Sequence, residues 1–576
     1  MTSENIVNTP SSDHTTDNPK KFIRHIVKQD GLVLTDHVLI ALATITMSFL
    51  SLSVPIMTLQ VYDRILSNPD GGTLPILLGG VIVALLIEGL IRMGRSYLVA
   101  NANAIFEHKM NCKVFFHTIH SDFSKIPNFD PGIHLQKLAS VNGIKDDFTG
   151  GNFVAACETF LLPVFFILLI YIAGWLTLVP LVIVSLYIAL ALSISFKLKD
   201  AIEIRDEHDE KRYSFLVNTL SGIHSIKAFA NERLFERKYE KLKEDMGMAQ
   251  YRVAILNSSI ANLGSIFSGI MTFAVVSCGA YLVINGSLTT GSLIATIVIN
   301  GRIMQPIQKI VQSYIKKRES IHSYKELADL LSMPTDRPIN DLYKDMATGG
   351  SLKSEPEGRL EVKTMSFRYA GEDNYLFHNL DLKLNPGTMI GVKGDFGAGK
   401  STLMKLFCGV YPPEKGEILV DGYPVNQYAQ KELPMHVGLV ESRGVLFRGT
   451  IRDNITRFGL TPDEQAQEAA AMLDLNSEII KLPSGFDTML SGKAGDSVQP
   501  DLRQRIAIAR TLATRPKLIL FDEPNRDLDF ESYNVLFRLL ARLKGNVTIV
   551  LVSGDRNLNS ICDEYYTIEG GTLTKV

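Results

Sequence analysis

The chain has 576 residues, 46% of them hydrophobic, and a formal net charge of −2. This length exceeds one ordinary globular core, so we expect at least two domains, and the near-neutral charge gives no argument for binding nucleic acid. The five cysteines form no CxxC pair or Cys/His cluster, which argues against a zinc site or a disulfide framework.

Polar residues dominate the start of the chain, and residues 1–30 predict a disordered tail without a signal peptide. Residues 31–333 then carry six apolar segments that approach the roughly 20 residues needed to cross a bilayer. The sequence therefore predicts an all-α, six-helix transmembrane domain in contact with membrane lipid. The predicted spans are 38–59, 74–91, 160–171, 176–196, 263–284 and 291–307.

Charge placement predicts the orientation of these spans. Lys and Arg are frequent before the first span and in 95–153 and 197–252, whereas the short connections between spans carry none. The positive-inside rule then places both termini and both long stretches in the cytoplasm, so we expect a multi-pass protein. Residues 197–252 favour helical extensions of two spans, with a break near 221–227.

Charged residues within spans are candidates for function. Glu88 and Arg92 lie four residues apart, and we expect them to neutralise each other on one helix face. Arg302 lies near the cytoplasmic end of the last span, where its side chain can reach the interface.

Composition changes again after the spans. Residues 334–358 are rich in Pro, Gly, Ser and charged residues, which is typical of a linker. Residues 359–576 alternate strand-like apolar runs with amphipathic stretches, which predicts a cytoplasmic α/β domain.

A phosphate-binding loop of the P-loop NTPase type follows the strand-like run 388–392 and opens a helical run. In this setting backbone N–H groups surround the phosphates of ATP, the lysine reaches the β and γ phosphates, and the serine binds Mg²⁺. The predicted ATP-binding residues here are Gly394, Asp395, Phe396, Gly397, Ala398, Gly399, Lys400, Ser401 and Thr402.

A second motif, residues 518–523, is an apolar run that ends in two acids. A buried strand delivers Asp522 to the Mg²⁺ already held by Ser401. Glu523 is then placed to polarise the attacking water, which makes it the candidate catalytic residue.

Six spans followed by this cassette resemble the ABC exporters, and in particular the type I protein-secretion transporters. Two membrane motifs carry the second resemblance, Val-Pro-Ile-Met-Thr-Leu-Gln-Val-Tyr-Asp-Arg-Ile at 54–65 and Gly-Arg-Ile-Met-Gln-Pro at 301–306. The resemblance implies that Tyr369 stacks on adenine and that 221–228 forms a coupling helix. It also implies a second half-transporter, a periplasmic adaptor, an outer-membrane channel and a location in the bacterial inner membrane. No peptidase domain precedes the spans, so leader cleavage is not expected.

Three elements depart from the family pattern. The signature LSGGQ is replaced by Val-Gln-Pro-Asp-Leu at 498–502, so that Pro500 has no N–H and Asp501 is expected to bring charge toward phosphate. Like charges 4 Å apart repel by about 4 kcal/mol, more than the roughly 0.3–2 kcal/mol returned by a helix N-terminus. Ser442 replaces the glutamine of the Q-loop and Gly554 the switch histidine. The altered positions are Ser442, Gln499, Pro500, Asp501 and Gly554.

These substitutions predict that MgATP binding is kept while hydrolysis is impaired or depends on a partner. We therefore expect the degenerate member of a heterodimeric protein or peptide exporter, although homodimers remain open. A lipid or small-molecule exporter shares every cassette motif and stays an alternative. So does an ATP-binding regulatory or scaffolding subunit without transport activity of its own.

Overall fold

The computed structural model describes residue 23 and residues 34–66, 73–122, 137–148, 150–335, 355–429, 432–491 and 498–576. These residues form two compact units, a helical unit within Val7–Ile119 and Asp130–Met333 and a sheet unit within Pro334–Val576. All but one residue of the predicted tail at 1–30, and most of the predicted linker at 334–358, lie outside the described residues. The predicted domain boundaries therefore stay predictions.

The helical unit consists of ten α-helices within the described ranges, several of them joined by short turns. The turn between α6 and α7 is a 3₁₀ helix, Gly174–Thr177, and a π-helix, Val61–Ile65, follows α2. The α-helices are α1 Leu34–Leu50, α2 Ser53–Gln60, α3 Leu74–Ile119, α4 Val141–Phe148, α5 Gly151–Phe160, α6 Leu162–Ala173, α7 Leu178–Ser221, α8 Ile223–Ala228, α9 Glu232–Ile284 and α10 Thr290–Leu331.

All six predicted spans lie in these helices. Within the described ranges, four helical stretches are long and apolar enough to cross a membrane: Asp36–Ile65, Leu74–Ile119, Gly151–Ser221 and Glu232–Ile284. The third stretch has 71 residues and contains two predicted spans, because only the short 3₁₀ turn separates them. The last predicted span lies in α10, whose Asn300, Arg302 and Gln305 make it less apolar than these four.

The predicted helical extensions are confirmed. Helices α7 and α9 continue far beyond their apolar parts, and the chain turns between them through Gly222 and the short helix α8. The two helices pack together along the unit, where Tyr187 and Phe267 lie with ring centroids 5.7 Å apart. Both rings belong to the main apolar core of the helical unit.

The π-helix after α2 is joined to the start of α10. The carboxylate of Asp63 accepts a hydrogen bond from the Gly291 N–H at 2.9 Å and another from the Thr289 hydroxyl at 2.7 Å. Thr289 is also the N-cap of α10, since its hydroxyl accepts from the Ser292 N–H. Asp63 therefore neutralises the positive end of the α10 dipole from 228 residues away.

The sheet unit alternates strands and helices. Its strands are β1 Leu360–Phe367, β2 Phe377–Leu384, β3 Met389–Gly394, β4 Lys415–Val420, β5 Tyr423–Pro424, β6 Val437–Val440, β7 Gly449–Thr450, β8 Met489–Leu490, β9 Leu518–Asp522, β10 Thr548–Val552, β11 Glu564–Glu569 and β12 Thr572–Lys575. Its helices are α11 Lys400–Phe407, α12 Leu433–His436, α13 Ile451–Ile455, α14 Asp463–Met472, α15 Leu475–Ile479, α16 Pro500–Leu512, α17 Phe530–Leu543 and α18 Arg556–Ser560.

The larger sheet has the strand order β12-β11-β3-β10-β9-β6. Its pairs are parallel except β11 with β12, whereas the smaller sheet β2-β1-β4-β5 is antiparallel. Val552 pairs with both Val392 and Asp522. The carboxyl ends of β3, β10 and β9 are therefore level, and the segments that follow them meet at one edge of the sheet.

The central strands are buried on both faces, as a parallel sheet between two layers requires. Every residue of β9 and β10 is buried. Ile519 and Phe521 pack into one apolar core of the sheet unit, and Leu518 and Leu520 pack into the other. This buried centre fixes the positions of the carboxyl ends of the strands.

Candidate functional site

A glycine-rich turn connects β3 to α11. Gly397 and Gly399 have φ values of 85° and 90°, which glycine adopts without strain. A Cβ atom at Gly399 would lie 2.9 Å from Cζ of Phe377, so a side chain would also collide there. Because α11 begins at Lys400, its first N–H groups lack partners within the helix and are available to phosphate oxygens. The loop has the form that the predicted ATP contacts require.

The side chain of Lys400 folds back over this loop. Its Nζ donates to the carbonyl oxygen of Gly394 at 2.7 Å and to that of Asp395 at 2.9 Å. The ammonium group is thus held at the mouth of the loop, where the β and γ phosphates are predicted to lie. Phe396 is fully exposed at the loop tip.

The two predicted Mg²⁺ ligands interact with each other. Burial raises the pKa of Asp522 above its ordinary value, and a hydrogen bond from the side chain of Ser401 opposes that rise. One ligand comes from α11 and the other from the end of β9. A cation between them would relieve the burial penalty on the carboxylate.

This donor set fits magnesium. Within the described ranges, no cluster of three or more His, Cys, Asp or Glu side chains is arranged to hold a metal ion. Mg²⁺ ordinarily takes only one or two protein ligands and completes its octahedron with phosphate oxygens and water. Ser401 and Asp522 supply that number, so they can hold the ion together with a nucleotide.

Glu523 directly follows Asp522 but leaves the line of the strand. Its N–H donates to the carbonyl oxygen of Val552 at 2.8 Å, and its φ is 46°, in the left-handed region. Such a conformation costs about 1–3 kcal/mol in a non-glycine residue and is common at functional sites. The carboxylate is partly exposed and lies 3.9 Å from Arg526. It is therefore accessible to water, as a general base must be.

Tyr369 belongs to an aromatic group at the end of β1. Its ring centroid lies 5.2 Å from that of Phe367 and 6.0 Å from that of Tyr411, both in edge-on geometry. Its hydroxyl and the Thr402 hydroxyl are 2.7 Å apart. Thr402, a predicted nucleotide contact, is buried, and its side chain is used to fix Tyr369 against the first turn of α11.

The altered signature lies at the start of α16, where the charge of Asp501 is paired within the chain. Gln499 is the N-cap without a side-chain cap bond, and Pro500 is the first helical residue. Asp501 is only 7% exposed, and its carboxylate is 3.0 Å from the guanidinium of Arg505. Ser532 also donates to it at 3.3 Å. The charge that Asp501 is expected to bring toward phosphate is therefore compensated, because Arg505, one helical turn later, pairs with the buried carboxylate.

Two further altered positions lie at the sheet edge that carries the loop. Ser442 follows β6, the neighbour of β9, and Gly554 lies two residues beyond Val552. A Cβ atom at Gly554 would meet no atom within 4 Å, so the position has room for a side chain that it lacks. The next residue, Asp555, caps α18, and a backbone hydrogen bond from Leu558 lowers its pKa.

Sequence reasoning missed the role of Arg505. This side chain is 5% exposed and also lies 3.7 Å from Glu478. The four-residue spacing of Asp501 and Arg505 within one predicted helix was the signal that could have revealed the pair.

Two family models match the chain. Residues 38–307 match the ABC transporter transmembrane region, and residues 377–526 match the ABC transporter model. The two matches together cover well over half of the chain and fall in the helical unit and the sheet unit respectively.

Similar proteins extend this picture over nearly the whole length. The chain is 28% identical over 559 residues to the alpha-hemolysin translocation ATP-binding protein HlyB of Escherichia coli, covering 96% of this chain and 77% of the relative. It is 27% identical over 557 residues to the cyclolysin secretion/processing ATP-binding protein CyaB of Bordetella pertussis, covering 96% and 76%. A solved bacterial Atm1-family ABC exporter with ATP bound superposes with a TM-score of 0.80 at 19% identity, covering 94% of this chain and 95% of the other.

Proposed function

Because the chain belongs to the ABC transporter family and joins an exporter's transmembrane region to an ABC ATPase, we propose that it exports a protein or peptide in a type I secretion-like system. The observation that carries this proposal is the match over 96% of the chain to proteins named for the translocation of alpha-hemolysin and the secretion of cyclolysin. The likeness to the Atm1-family exporter supports the fold alone, because the identity is 19%.

The ABC ATPase domain implies ATP binding, typically with magnesium. In our proposal the N–H groups of the loop and the ammonium of Lys400 bind the phosphates, while Ser401 and Asp522 hold the ion. Bound Mg²⁺ neutralises charge on the transferred phosphoryl group. Glu523 orients the attacking water and accepts its proton, and Tyr369 stacks on the adenine.

Hydrolysis by this chain alone is proposed to be slow. Gly554 offers no side chain to the γ-phosphate, and Pro500 has no N–H to donate from the start of α16. Loss of one preorganised donor to developing charge lowers turnover by about 10²–10³-fold. The orientation of Asp501 removes the repulsion argument, so the proposal rests on missing donors and not on an intruding charge.

The direct test is the ATPase rate of the purified full-length chain. We expect MgATP binding that is lost in Lys400→Ala, and little turnover. A combined restoration, Gln499→Ser, Pro500→Gly, Asp501→Gly and Gly554→His, should raise turnover. The same background with Gly554→Ala is the control, because it adds a Cβ atom without an imidazole. Rapid turnover by the unaltered chain, abolished by Glu523→Gln, would sink the proposal of impaired hydrolysis.

The remaining part of the proposal concerns partners and location. The chain is a multi-pass membrane protein of a family whose type I secretion members work with other components. We propose an inner-membrane location with both termini in the cytoplasm, a second half-transporter with an intact signature, a periplasmic adaptor and an outer-membrane channel. Affinity purification from the native membrane followed by mass spectrometry tests all three partners together. A chain recovered alone, or with regulatory proteins only, would favour the scaffolding alternative.

A further inference from the structure

A polar cavity of about 260 Å³ lies inside the helical unit, among α1, α3, α5, α6 and α10. Most of its lining is hydroxyl, amide or charged, and only Met47, Phe165 and Pro306 are apolar. Two of its ionisable residues, Glu88 and Arg302, lie within predicted spans, where such side chains face a functional cavity far more often than lipid. The ionisable residues of this cavity are Glu88, Arg92, Arg95, Glu158, Arg302 and Lys309.

The charges in the cavity do not balance. Four side chains are cationic and two are carboxylates, which leaves a formal excess of two positive charges. Glu88, which is buried, pairs with Arg92 as the four-residue spacing predicted. In that pair one negative charge compensates one positive charge.

The second carboxylate is shared between two cations. Glu158 lies 3.0 Å from the guanidinium of Arg95 and 2.7 Å from the ammonium of Lys309. Arg95 also donates to the hydroxyl of Thr44 at 3.2 Å. One carboxylate thus compensates two cations from two different helices.

Arg302 is the fourth cation of the cavity. Among the residues that the structure describes, no carboxylate lies within ion-pair distance of its guanidinium. Its helix, α10, contains Pro306 within the same cavity wall. An arginine presents a planar fork of N–H donors that matches a carboxylate in two parallel hydrogen bonds. This side chain is the one best able to receive an incoming anion.

We propose that this cavity binds carboxylate side chains of the exported polypeptide, so that the substrate enters through an acidic segment. The inference rests on the proposed export function and adds the chemical class of the substrate. Asp or Glu side chains restore the charge balance of the cavity, and its volume accommodates a few side chains. A lipid is disfavoured because the lining offers no continuous apolar wall for an acyl chain.

The test uses the full-length chain in nanodiscs of neutral lipid and two fluorescein-labelled decapeptides, one of alternating Asp and Gly and one of alternating Asn and Gly. Fluorescence anisotropy should show that the acidic peptide binds at least about tenfold more tightly, equivalent to roughly 1.4 kcal/mol. Its affinity should fall between about 50 mM and about 500 mM salt. Equal affinity of the two peptides would overturn the proposal, as would displacement of the acidic peptide by anionic lipid alone.

Substitutions of Arg302 test whether the acidic peptide binds in the cavity. Arg302→Gln should weaken acidic-peptide binding about tenfold. Arg302→Lys keeps the charge but loses the planar fork, so its affinity should lie between those of Arg302→Gln and the unaltered chain. Arg252→Gln removes the same charge from an exposed position of α9 outside the cavity and should change nothing. MgATP binding by each variant verifies folding, and an Arg302→Gln variant that binds ATP and still binds the acidic peptide normally would overturn the proposal. Recovery of the adaptor and the channel from the native membrane tests the export proposal separately, so failure of peptide binding alone leaves the export proposal intact.

Discussion

The pair between Asp501 and Arg505 permits a graded prediction of stability. The side chains are 10% and 5% exposed, and 3.0 Å separates the charged atoms. Replacing Arg505 with Met leaves a buried carboxylate whose remaining partner is the Ser532 hydroxyl at 3.3 Å. Removing one partner of a buried ion pair costs about 3–5 kcal/mol, so we expect a loss in that range.

Replacement of the acid should cost less than replacement of the base. In Asp501→Asn the guanidinium still has Glu478 at 3.7 Å, which can approach more closely. The loss then resembles that of a hydrogen bond to a charged group, about 1.5–3 kcal/mol. The double variant Asp501→Leu with Arg505→Met removes both charges and should cost less than Arg505→Met alone.

Hydrogen exchange of the α16 amides in the detergent-solubilised full-length chain measures these differences as local opening free energies. A loss of about 3 kcal/mol corresponds to exchange faster by roughly a hundredfold. Arg538→Met, at an exposed pair with Asp474, is the control and should have almost no effect. Exchange that is faster in Asp501→Asn than in Arg505→Met, or at least as fast in the double variant as in Arg505→Met, would refute this prediction.

Two further predictions concern contacts outside α16. In Gly291→Ala the new Cβ atom would lie 2.4 Å from the Asp63 carboxylate, so we expect a loss of about 1–3 kcal/mol, seen as a lower melting temperature by circular dichroism. Gly269→Ala meets no atom within 4 Å and should melt like the unaltered chain. Tyr369→Phe keeps the proposed adenine stack and should change ATP affinity little, whereas Tyr369→Ala should lose about 1–3 kcal/mol of binding in a fluorescent-nucleotide titration. Equal losses in the two Tyr369 variants would argue against stacking.

Local motifs in the sequence predict the sheet unit well. The turn from 394 to 401 and the acids at 522 and 523 each begin at the last residue of a strand, and parallel pairing with β10 brings those strand ends level. Such features depend on neighbouring residues and on the general topology of α/β sheets. Their relative placement therefore follows from the order of motifs along the chain.

Side-chain direction and distant pairing are harder to predict. A charged residue in the first turn of a helix can face outward or turn back to the residue four positions later. For Asp501 the burial of Arg505 and the contact with Ser532 together select the second arrangement. The sharing of Glu158 between Arg95 and Lys309 joins residues 63 and 151 positions apart. No local pattern in the sequence specifies such a contact.

The link between Asp63 and Gly291 also has a consequence for biogenesis. The two residues are 228 positions apart, and at about 5–20 residues per second a ribosome needs roughly 10 to 45 seconds to pass from one to the other. Throughout that interval the start of α10, to which the Asp63 carboxylate binds in the folded chain, does not yet exist. The bond can therefore form only after the start of α10 has been synthesised, so this contact is one of the late steps of folding.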